Sequence, residues 1–206
     1  MSMAKMVMAK FYRQAAGEAQ RLPWHRDTPS KVLLSAVAAC EAGGRALDVG
    51  CGAGVFSVWL AGEGMEVTGV DLFPEAIAMC EALGAEKGVE ARFDCADLFG
   101  YQPDGSFDLV YDSGCLHSLV GGDVGSYRRQ LFSWLAPGGH YVLEHWGKRH
   151  ALDWRPIGPR RRTQASIERM FAPELELAET EVTDFSAPLP FGPTVRGIGY
   201  RFRRDS

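Results

Sequence analysis

A glycine-rich turn and an acidic residue follow two short apolar segments of the chain. Residues 50–54 read Gly-Cys-Gly-Ala-Gly after the segment 45–49, and Asp71 ends the segment 65–71. Glycine lets the backbone take positive φ and approach a ligand closely, and one carboxylate can accept hydrogen bonds from both hydroxyls of a ribose. A strand, a glycine turn and a second strand that ends in an acid form a nucleoside-binding unit. The pattern therefore predicts a nucleoside site between the turn and Asp71.

Polar residues follow two further apolar segments. One segment leads into Asp94-Cys-Ala-Asp97, and the other leads into Asp112-Ser-Gly-Cys-Leu-His117. Open α/β sheets bind ligands at the carboxyl ends of their strands, so these residues are expected near the reacting group. His117 is the candidate general base, because an imidazole titrates near neutral pH. The alternative, given equal weight, is a histidine at the start of a helix that packs and hydrogen-bonds without chemistry.

The elements that must position these residues follow from the apolar periodicity. Strands are predicted at 46–49, 66–71, 90–94, 107–112 and 140–144, and helices at 4–20, 31–41, 54–62, 74–84, 124–135 and 166–171. Alternation of strands and helices predicts βαβ units and a parallel sheet. Two strands, 175–185 and 197–203, have no helix between them and predict an antiparallel hairpin at the edge of the sheet.

The motif D-x-G-x-G-x-G from Asp48, together with Asp71 and the strand start Phe107-Asp-Leu-Val, resembles the class I S-adenosylmethionine (SAM)-dependent methyltransferases. A dinucleotide-binding turn would need a glycine at position 55, which is Val55 here. The resemblance implies an α/β fold with a doubly wound, mostly parallel, seven-stranded Rossmann-like sheet and a C-terminal antiparallel hairpin. It implies one domain, 1–206, with an N-terminal helical cover at 1–42 and the core at 43–206.

The resemblance also assigns roles to residues of this chain. Asp48 organises the turn and meets the methionine ammonium of SAM, Asp71 binds the ribose, and Leu72 packs on the adenine. Asp94 accepts a hydrogen bond from the adenine amino group, and the Cys95 N–H donates one to a ring nitrogen. The residues expected to bind the cofactor SAM, and its product S-adenosylhomocysteine (SAH), are Tyr12, Trp24, Asp48, Gly50, Cys51, Gly52, Asp71, Leu72, Asp94, Cys95 and Ser113.

Features outside the core motifs are similar to small-molecule methyltransferases of the thiopurine and tellurite-resistance group. These features are a leading Phe-Tyr helix, a Leu22-Pro-Trp24 segment and Asp112-x-Gly-x-Leu-His117. By this resemblance Tyr12 and Trp24 line the pocket, although ordinary packing of an N-terminal helix is the alternative. The thiopurine enzymes have an arginine where this chain has Ser113, and that arginine helps to bind the SAM carboxylate. Arg13 or backbone N–H groups are the candidates for that role here.

The expected reaction is transfer of the SAM methyl group to an oxygen, nitrogen, sulfur or carbon nucleophile of a small molecule by direct in-line displacement. Orientation contributes much of the rate in such a reaction, so a strong base is not always needed. Two alternatives remain open at this stage. A protein that binds SAM without turnover would keep the same acids, and an NAD-dependent oxidoreductase would share the layout of strand, glycine turn and acid.

Length, composition and charge limit the classes of partner that the protein is expected to bind. The 206 residues with a net charge of −4 fit one soluble domain and argue against a nucleic-acid partner, which usually meets a clearly basic domain. No apolar run approaches the roughly 18 residues of a membrane span, and the N-terminus lacks the pattern of a signal peptide, so a cytoplasmic location and no membrane partner are expected. The oligomeric state is left open.

Cysteines and histidines do not predict a metal site. The five cysteines show no CxxC spacing, and His140 and His145 would point to opposite faces of one strand. Two basic segments, 148–150 and 160–162, are interpreted either as solvated loops or as a positive mouth for an anionic acceptor.

Overall fold

The computed structural model describes residues 3–119, 121–150, 153, 159–185 and 195–205. Seven strands form one sheet in the order β3-β2-β1-β4-β5-β7-β6. The strands are β1 (Arg45–Val49), β2 (Glu66–Asp71), β3 (Arg92–Cys95), β4 (Phe107–Ser113), β5 (Leu135–Gly147), β6 (Leu175–Phe185) and β7 (Val195–Arg204). Strands β1 to β5 are parallel, and β7 is antiparallel to both β5 and β6. The fold class predicted from the sequence is confirmed.

Six α-helices flank the sheet within the ranges that the structure describes. They are α1 (Met3–Ala15), α2 (Lys31–Ala39), α3 (Val55–Gly62), α4 (Pro74–Lys87), α5 (Gly122–Trp134) and α6 (Gln164–Phe171). Alternate residues of the central strands contribute to two hydrophobic cores, one on each face of the sheet. Ala46 packs in the core with α2 and α3, and Leu47 packs in the core with α5 and α6. Both faces of these strands are therefore buried, which explains their nearly continuous apolar sequences.

The register brings the carboxyl ends of the parallel strands to one edge. Val49 pairs with Val70 and with Asp112, and Asp71 pairs with Cys95. Because β1 lies between β2 and β4, the chain order of the sheet reverses beside the end of β1. Such a reversal opens the crevice where α/β sheets bind their ligands. The glycine turn after β1 lies at this crevice.

Several element boundaries differ from the sequence prediction. The first helix ends at Ala15 rather than near residue 20, because Ala16 and Gly17 take positive φ of 51° and 87°. Strand β5 begins at Leu135, before the Pro137-Gly-Gly139 segment that was interpreted as a turn, and Leu135 pairs with Phe107. Strand β3 covers Arg92–Cys95 rather than 90–94.

The predicted helical cover at 1–42 divides into two parts with different positions. Helix α2 is a core helix, since its Val32, Leu33 and Ala36 are fully buried against the sheet. Only α1 and residues 16–29 extend past the sheet toward the glycine turn, and we call this part the N-terminal cover. A helix that precedes the first strand can pack on a face of the sheet as well as over its edge.

Candidate functional site at the carboxyl ends of the strands

The glycine turn is fixed by backbone bonds to the neighbouring strand. The N–H groups of Gly50 and Cys51 donate to the carbonyl of Val70, at 2.8 and 3.1 Å. Gly50 and Gly52 have φ of 70° and 58°, a left-handed conformation in which a side chain would be strained. The turn therefore leaves bare backbone at the crevice, as the sequence predicts for a ligand-binding loop.

Asp71 joins the glycine turn to the loop after β2. One of its carboxylate oxygens accepts the Gly52 N–H at 3.0 Å, and the other accepts the Phe73 N–H at 3.0 Å. A carboxylate has about four acceptor positions, so each oxygen keeps capacity for a further donor. Burial raises the pKa of Asp71, which the two N–H donors partly oppose. The residue is thus preorganised to accept two hydroxyl groups side by side.

Asp48 lies beneath the turn rather than on its surface. Ser57 at the start of α3 donates a hydrogen bond of 2.6 Å to its carboxylate. Complete burial, with the charges of Asp71 and Asp112, raises the pKa of Asp48 to about 7, although the hydrogen bond from Ser57 opposes the rise. A group that titrates so near neutrality responds strongly to any positive charge placed beside it.

The N-terminal cover lies directly on the glycine turn. A Cβ atom added to Gly52 would lie 3.4 Å from the Tyr12 hydroxyl oxygen. The Tyr12 ring contacts those of Trp24 and Phe73, with centroids 5.8 and 5.6 Å apart. Tyr12 is buried, whereas 41% of the Trp24 surface is exposed. The structure thus brings Tyr12 to the predicted pocket and leaves Trp24 at its outer margin.

The loop after β3 holds Asp94 by bonds within the protein. The Tyr101 hydroxyl donates to one Asp94 oxygen at 2.6 Å, and Arg92 donates to the other at 3.0 Å. The Cys95 thiol lies 3.7 Å from the Leu72 carbonyl oxygen, so the two predicted adenine contacts lie together. The acceptor role of Asp94 stays a prediction, and both of its oxygens already have donors.

Asp97 is a second acid of the same loop. Its carboxylate accepts the Phe99 N–H at 3.1 Å. Its charge is one of those that raise the pKa of Cys115, the residue that faces Gly50. Asp97 therefore lies close enough to the turn to take part in the site. The sequence contains a signal for this acid, because Asp97 ends the polar run 94–97 directly before Leu98.

Asp112 shapes the loop after β4. Its carboxylate accepts the N–H groups of Gly114, Cys115 and Leu116, at 3.0, 2.7 and 3.0 Å. The Tyr127 hydroxyl donates a fourth bond of 2.6 Å. Burial raises the pKa of Asp112 to about 6, although these four donors oppose the rise. The carboxylate is saturated, so Asp112 positions the loop instead of binding a ligand.

His117 does not have the environment of a general base. Its ring is packed edge-on against His145 and Trp146, with centroids 5.7 and 6.0 Å away. Burial, with the charges of His145 and Arg162, lowers the pKa of His117 to about 3. A group with so low a pKa is a weak proton acceptor at neutral pH. The structure thus argues against the base role. The ring is packed as the alternative expects, but its buried Nδ1 has no hydrogen-bond partner among the described residues.

Ser113 belongs to a cluster of polar residues that the sequence interpretation missed. Its hydroxyl donates to Glu144 on β5 at 3.3 Å, and the same Glu144 oxygen accepts a hydrogen bond from Arg26 of the cover. The Arg26 guanidinium also lies 5.6 Å from the centre of the Phe56 ring. Ser113 therefore holds a glutamate in place, and the predicted SAM contact of Ser113 stays a prediction.

The two basic segments differ in exposure among the described residues, because Arg149, His150 and Arg160 are exposed whereas Arg161 and Arg162 are partly buried. Arg161 is 4% exposed at its side chain and is paired with Asp153 at 2.8 Å. A guanidinium nitrogen of Arg162 lies 3.0 Å from Nε2 of His145. The other ring nitrogen of His145, Nδ1, hydrogen-bonds to the Trp146 carbonyl. Among the described residues, groups of three or more metal-ligating side chains are absent, and so is any helix long and apolar enough to cross a membrane.

Comparison with known proteins agrees with this geometry. Residues 46–139 match the family described as a methyltransferase domain. The chain is 32% identical over 136 residues to 2-heptyl-1-hydroxyquinolin-4(1H)-one methyltransferase of Mycobacteroides abscessus, a match that covers 64% of this chain and 60% of the relative. The chain therefore spans less than two thirds of that relative's length.

Solved structures share the fold over most of the chain. A SAM-dependent methyltransferase of Methanosarcina mazei superposes with a TM-score of 0.73 and 19% identity, covering 86% of this chain and 98% of that one. TehB of Haemophilus influenzae superposes with a TM-score of 0.72 and 15% identity, covering 87% of this chain and 63% of that one.

Proposed function

We propose that the protein transfers a methyl group from SAM to a small-molecule acceptor, because residues 46–139 match the methyltransferase domain family and the chain shares its fold with a SAM-dependent methyltransferase. The observation that carries the proposal is the preorganised pair of glycine turn and Asp71, in which bare backbone faces a carboxylate with unused acceptor capacity. A relative that methylates a small quinolone supports the class of acceptor.

The site fits SAM part by part. Asp71 offers two acceptors to a ribose, and Leu72 and the Cys95 N–H lie beside it for the adenine. Asp94 remains the proposed acceptor for the adenine amino group, because a carboxylate oxygen that already has one donor can accept a second. The methionine portion would lie along the backbone of Gly50, Cys51 and Gly52, and the buried acid Asp48 favours its positive charges.

When bound, SAM supplies an electrophilic methyl group on a positively charged sulfur. The protein positions the two reactants and excludes water from the site. Asp112 fixes the loop that ends at His117, and the Tyr12 ring covers the turn from the other side. Holding two reactants in line replaces a bimolecular encounter and accounts for much of the rate in such transfers. The acceptor enters between the cover and the ends of β4 and β5.

The two alternative functions make different predictions. The methyltransferase family match and Val55 argue against an NAD-dependent oxidoreductase. A protein that binds SAM without turnover would show tight SAM binding and no SAH formation with any acceptor. A cytoplasmic location and the lack of a nucleic-acid partner stay predictions, and the five free cysteines fit a reducing compartment.

Calorimetric titration with SAM, SAH and NAD tests the proposal. Asp71→Asn removes one acceptor and the negative charge, so SAM affinity should fall about 10- to 100-fold, the effect of losing one or two hydrogen bonds to a charged group. The matched control is Asp184→Asn, which alters a surface acid paired with Arg196 at the sheet edge and should bind SAM as the wild type does.

Two results would contradict the assignment. Unchanged SAM affinity in Asp71→Asn, with the melting temperature also unchanged, would remove Asp71 from the site. Binding of NAD in preference to SAM by the wild-type protein would contradict the proposed function itself.

A further inference from the structure

Glu144 carries a buried carboxylate oxygen that has no partner among the described residues. The side chain is 8% exposed, and its Oε2 accepts from both Arg26 and Ser113. Its Oε1 is buried and accepts no hydrogen bond from the described part of the chain. A buried acceptor without a donor is unfavourable, and in native proteins it usually has a reason.

The position of Glu144 places this oxygen on the acceptor side of the crevice. Glu144 pairs with Ser113 across β4 and β5, and Ser113 directly precedes the loop whose Cys115 faces Gly50. The ribose end of the site lies in the opposite direction, at β2. Going along the sheet, the order is therefore Asp71, the glycine turn, the β4 loop and then Glu144.

The surroundings of Glu144 combine charge with an apolar surface. Arg26 enters from the N-terminal cover, and its guanidinium lies over the Phe56 ring. The Tyr111 hydroxyl, also buried and without a hydrogen-bond partner in the described structure, is influenced by the charges of both Glu144 and Arg26. Arg26 and Tyr111 are thus the ionisable groups that face Glu144, and the Phe56 ring offers a flat apolar contact.

We propose that Glu144 Oε1 binds the hydroxyl of an aromatic or N-hydroxy acceptor and takes its proton during methyl transfer, an inference that rests on the proposed function. In this step a lone pair of the acceptor oxygen forms a bond to the methyl carbon while the carbon–sulfur bond breaks. The electron pair of that bond stays on sulfur, which becomes neutral, and the acceptor proton ends on Glu144 Oε1. Charge and atoms balance without a further reactant.

Arg26 acts as a positioning residue in this arrangement. Its bond to Oε2, with that of Ser113, fixes the carboxylate and leaves Oε1 as the free acceptor. A guanidinium stays protonated under all physiological conditions, so Arg26 itself cannot take the proton. Arg26 belongs to the cover, so the position of the cover over the site also sets the orientation of the Glu144 carboxylate.

The test compares Glu144→Gln with the wild type in SAH-release assays. The probes are 2-heptyl-1-hydroxyquinolin-4(1H)-one, catechol and 4-nitrophenol, together with 4-nitrothiophenol, a thiol that is already ionised at neutral pH and needs no base. Glutamine has the shape of glutamate but cannot accept the proton. The matched control is Glu179→Gln, since Glu179 also pairs with an arginine, Arg201, but lies on the edge strand β6.

With a hydroxyl probe that the wild type methylates, kcat of Glu144→Gln should fall about 100-fold or more near pH 7, the usual effect of losing a general base. The loss should shrink as pH rises toward the pKa of the probe, because the probe then ionises in solution. SAM affinity and turnover of 4-nitrothiophenol should stay within about twofold, and Glu179→Gln should match the wild type. Arg26→Lys should raise KM and lower kcat less than Glu144→Gln does.

Several outcomes would overturn the inference. They are wild-type turnover of the thiol without turnover of any hydroxyl probe, equal turnover by Glu144→Gln and the wild type, or a loss that is the same at every pH and for the thiol. Binding of SAM without turnover of any probe would contradict the proposed function. Failure of the wild type to bind SAM would likewise contradict the proposed function, so the two failures can be told apart.

Discussion

Three acids lie buried at the carboxyl ends of the central strands, Asp48 on β1, Asp71 on β2 and Asp112 on β4. Burial raises the pKa of each of them, and for Asp48 the charges of the other two add to the effect. Such a cluster is unfavourable while all three are ionised and becomes favourable when a cation lies among them. The cofactor that we propose carries positive charge on both its sulfur and its ammonium group.

This charge balance predicts proton release when SAM binds. The pKa of Asp48 is about 7, so near pH 6.5 much of this acid is protonated in the free protein. A cation beside it stabilises the ionised form, lowers its pKa and expels the proton. SAM affinity should therefore increase as pH rises from about 6 to about 8. Calorimetry at about pH 6.5 in two buffers of different ionisation enthalpy measures the protons released.

The control for proton release is Asp48→Asn. This variant keeps the bond from Ser57 and has no proton to lose at position 48, so the dependence of its binding enthalpy on the buffer should become much smaller. A buffer-independent enthalpy in the wild type would show that Asp48 is not the group that responds to SAM.

The elements that carry these acids are held by close packing between helices and the sheet. Helix α2 lies against β7 at Gly199, where an added Cβ would come within 2.6 Å of a Val32 methyl group. Val32 is fully buried, so it cannot move aside into solvent. The contact fixes α2, and through α2 the direction in which the N-terminal cover leaves the core.

Gly199→Ala should therefore destabilise the protein by about 1–3 kcal/mol, the usual cost of overpacking a core. Val32→Ala alone should also destabilise it, by leaving a cavity. The double variant should lose less than the sum of the two, because the new methyl group fills the space that Val32 vacates. Urea unfolding followed by tryptophan fluorescence gives the three free energies.

Gly62→Ala serves as the control, because nothing lies within 4 Å of a Cβ at the end of α3. Its stability should stay within about 0.5 kcal/mol of the wild type. Strictly additive losses for Gly199→Ala and Val32→Ala would mean that the two positions are not in contact.

Local patterns in the sequence were sufficient for most elements and for the central part of the site. The Gly52 nitrogen of the glycine turn lies 3.0 Å from a carboxylate oxygen of Asp71. Their spacing in the sequence predicts this proximity, because a strand, turn, helix and strand form one compact unit. The start of β5 was missed, because Pro137-Gly-Gly139 has turn residues while the pairing of Leu135 with Phe107 draws the segment into the sheet.

Contacts between distant segments could not be predicted in the same way. Arg26 and Glu144 are 118 residues apart, and each alone is an ordinary charged residue beside an irregular segment or at a strand end. Only the sheet order, with β5 beside β4, brings Glu144 to Ser113 and under the cover. For His117 the residue type was informative, but its burial against His145 and Trp146 depends on the folded chain.

Over the whole molecule, the site joins the most and the least constrained parts of the fold. The turn and the three acids lie on central strands that are paired on both sides. The cover meets them through Tyr12 at Gly52 and Arg26 at Glu144. A ligand between the two parts should therefore tie the cover to the sheet, whereas the outer strand β6 takes no part in the site.

Hydrogen exchange with and without SAH tests this coupling. SAH should slow exchange at 48–54, at 71–73 and in the cover at 11–26, and leave β6 (Leu175–Phe185) unchanged, because a ligand raises the free energy of opening only where opening breaks its contacts. Tyr12→Ala removes the ring that contacts the turn, so at saturating SAH it should abolish the protection of the cover and retain that of the turn. Unchanged exchange at 11–26 in the wild type would mean that the cover and the site open independently, and Arg26 would then have no means of coupling closure to Glu144.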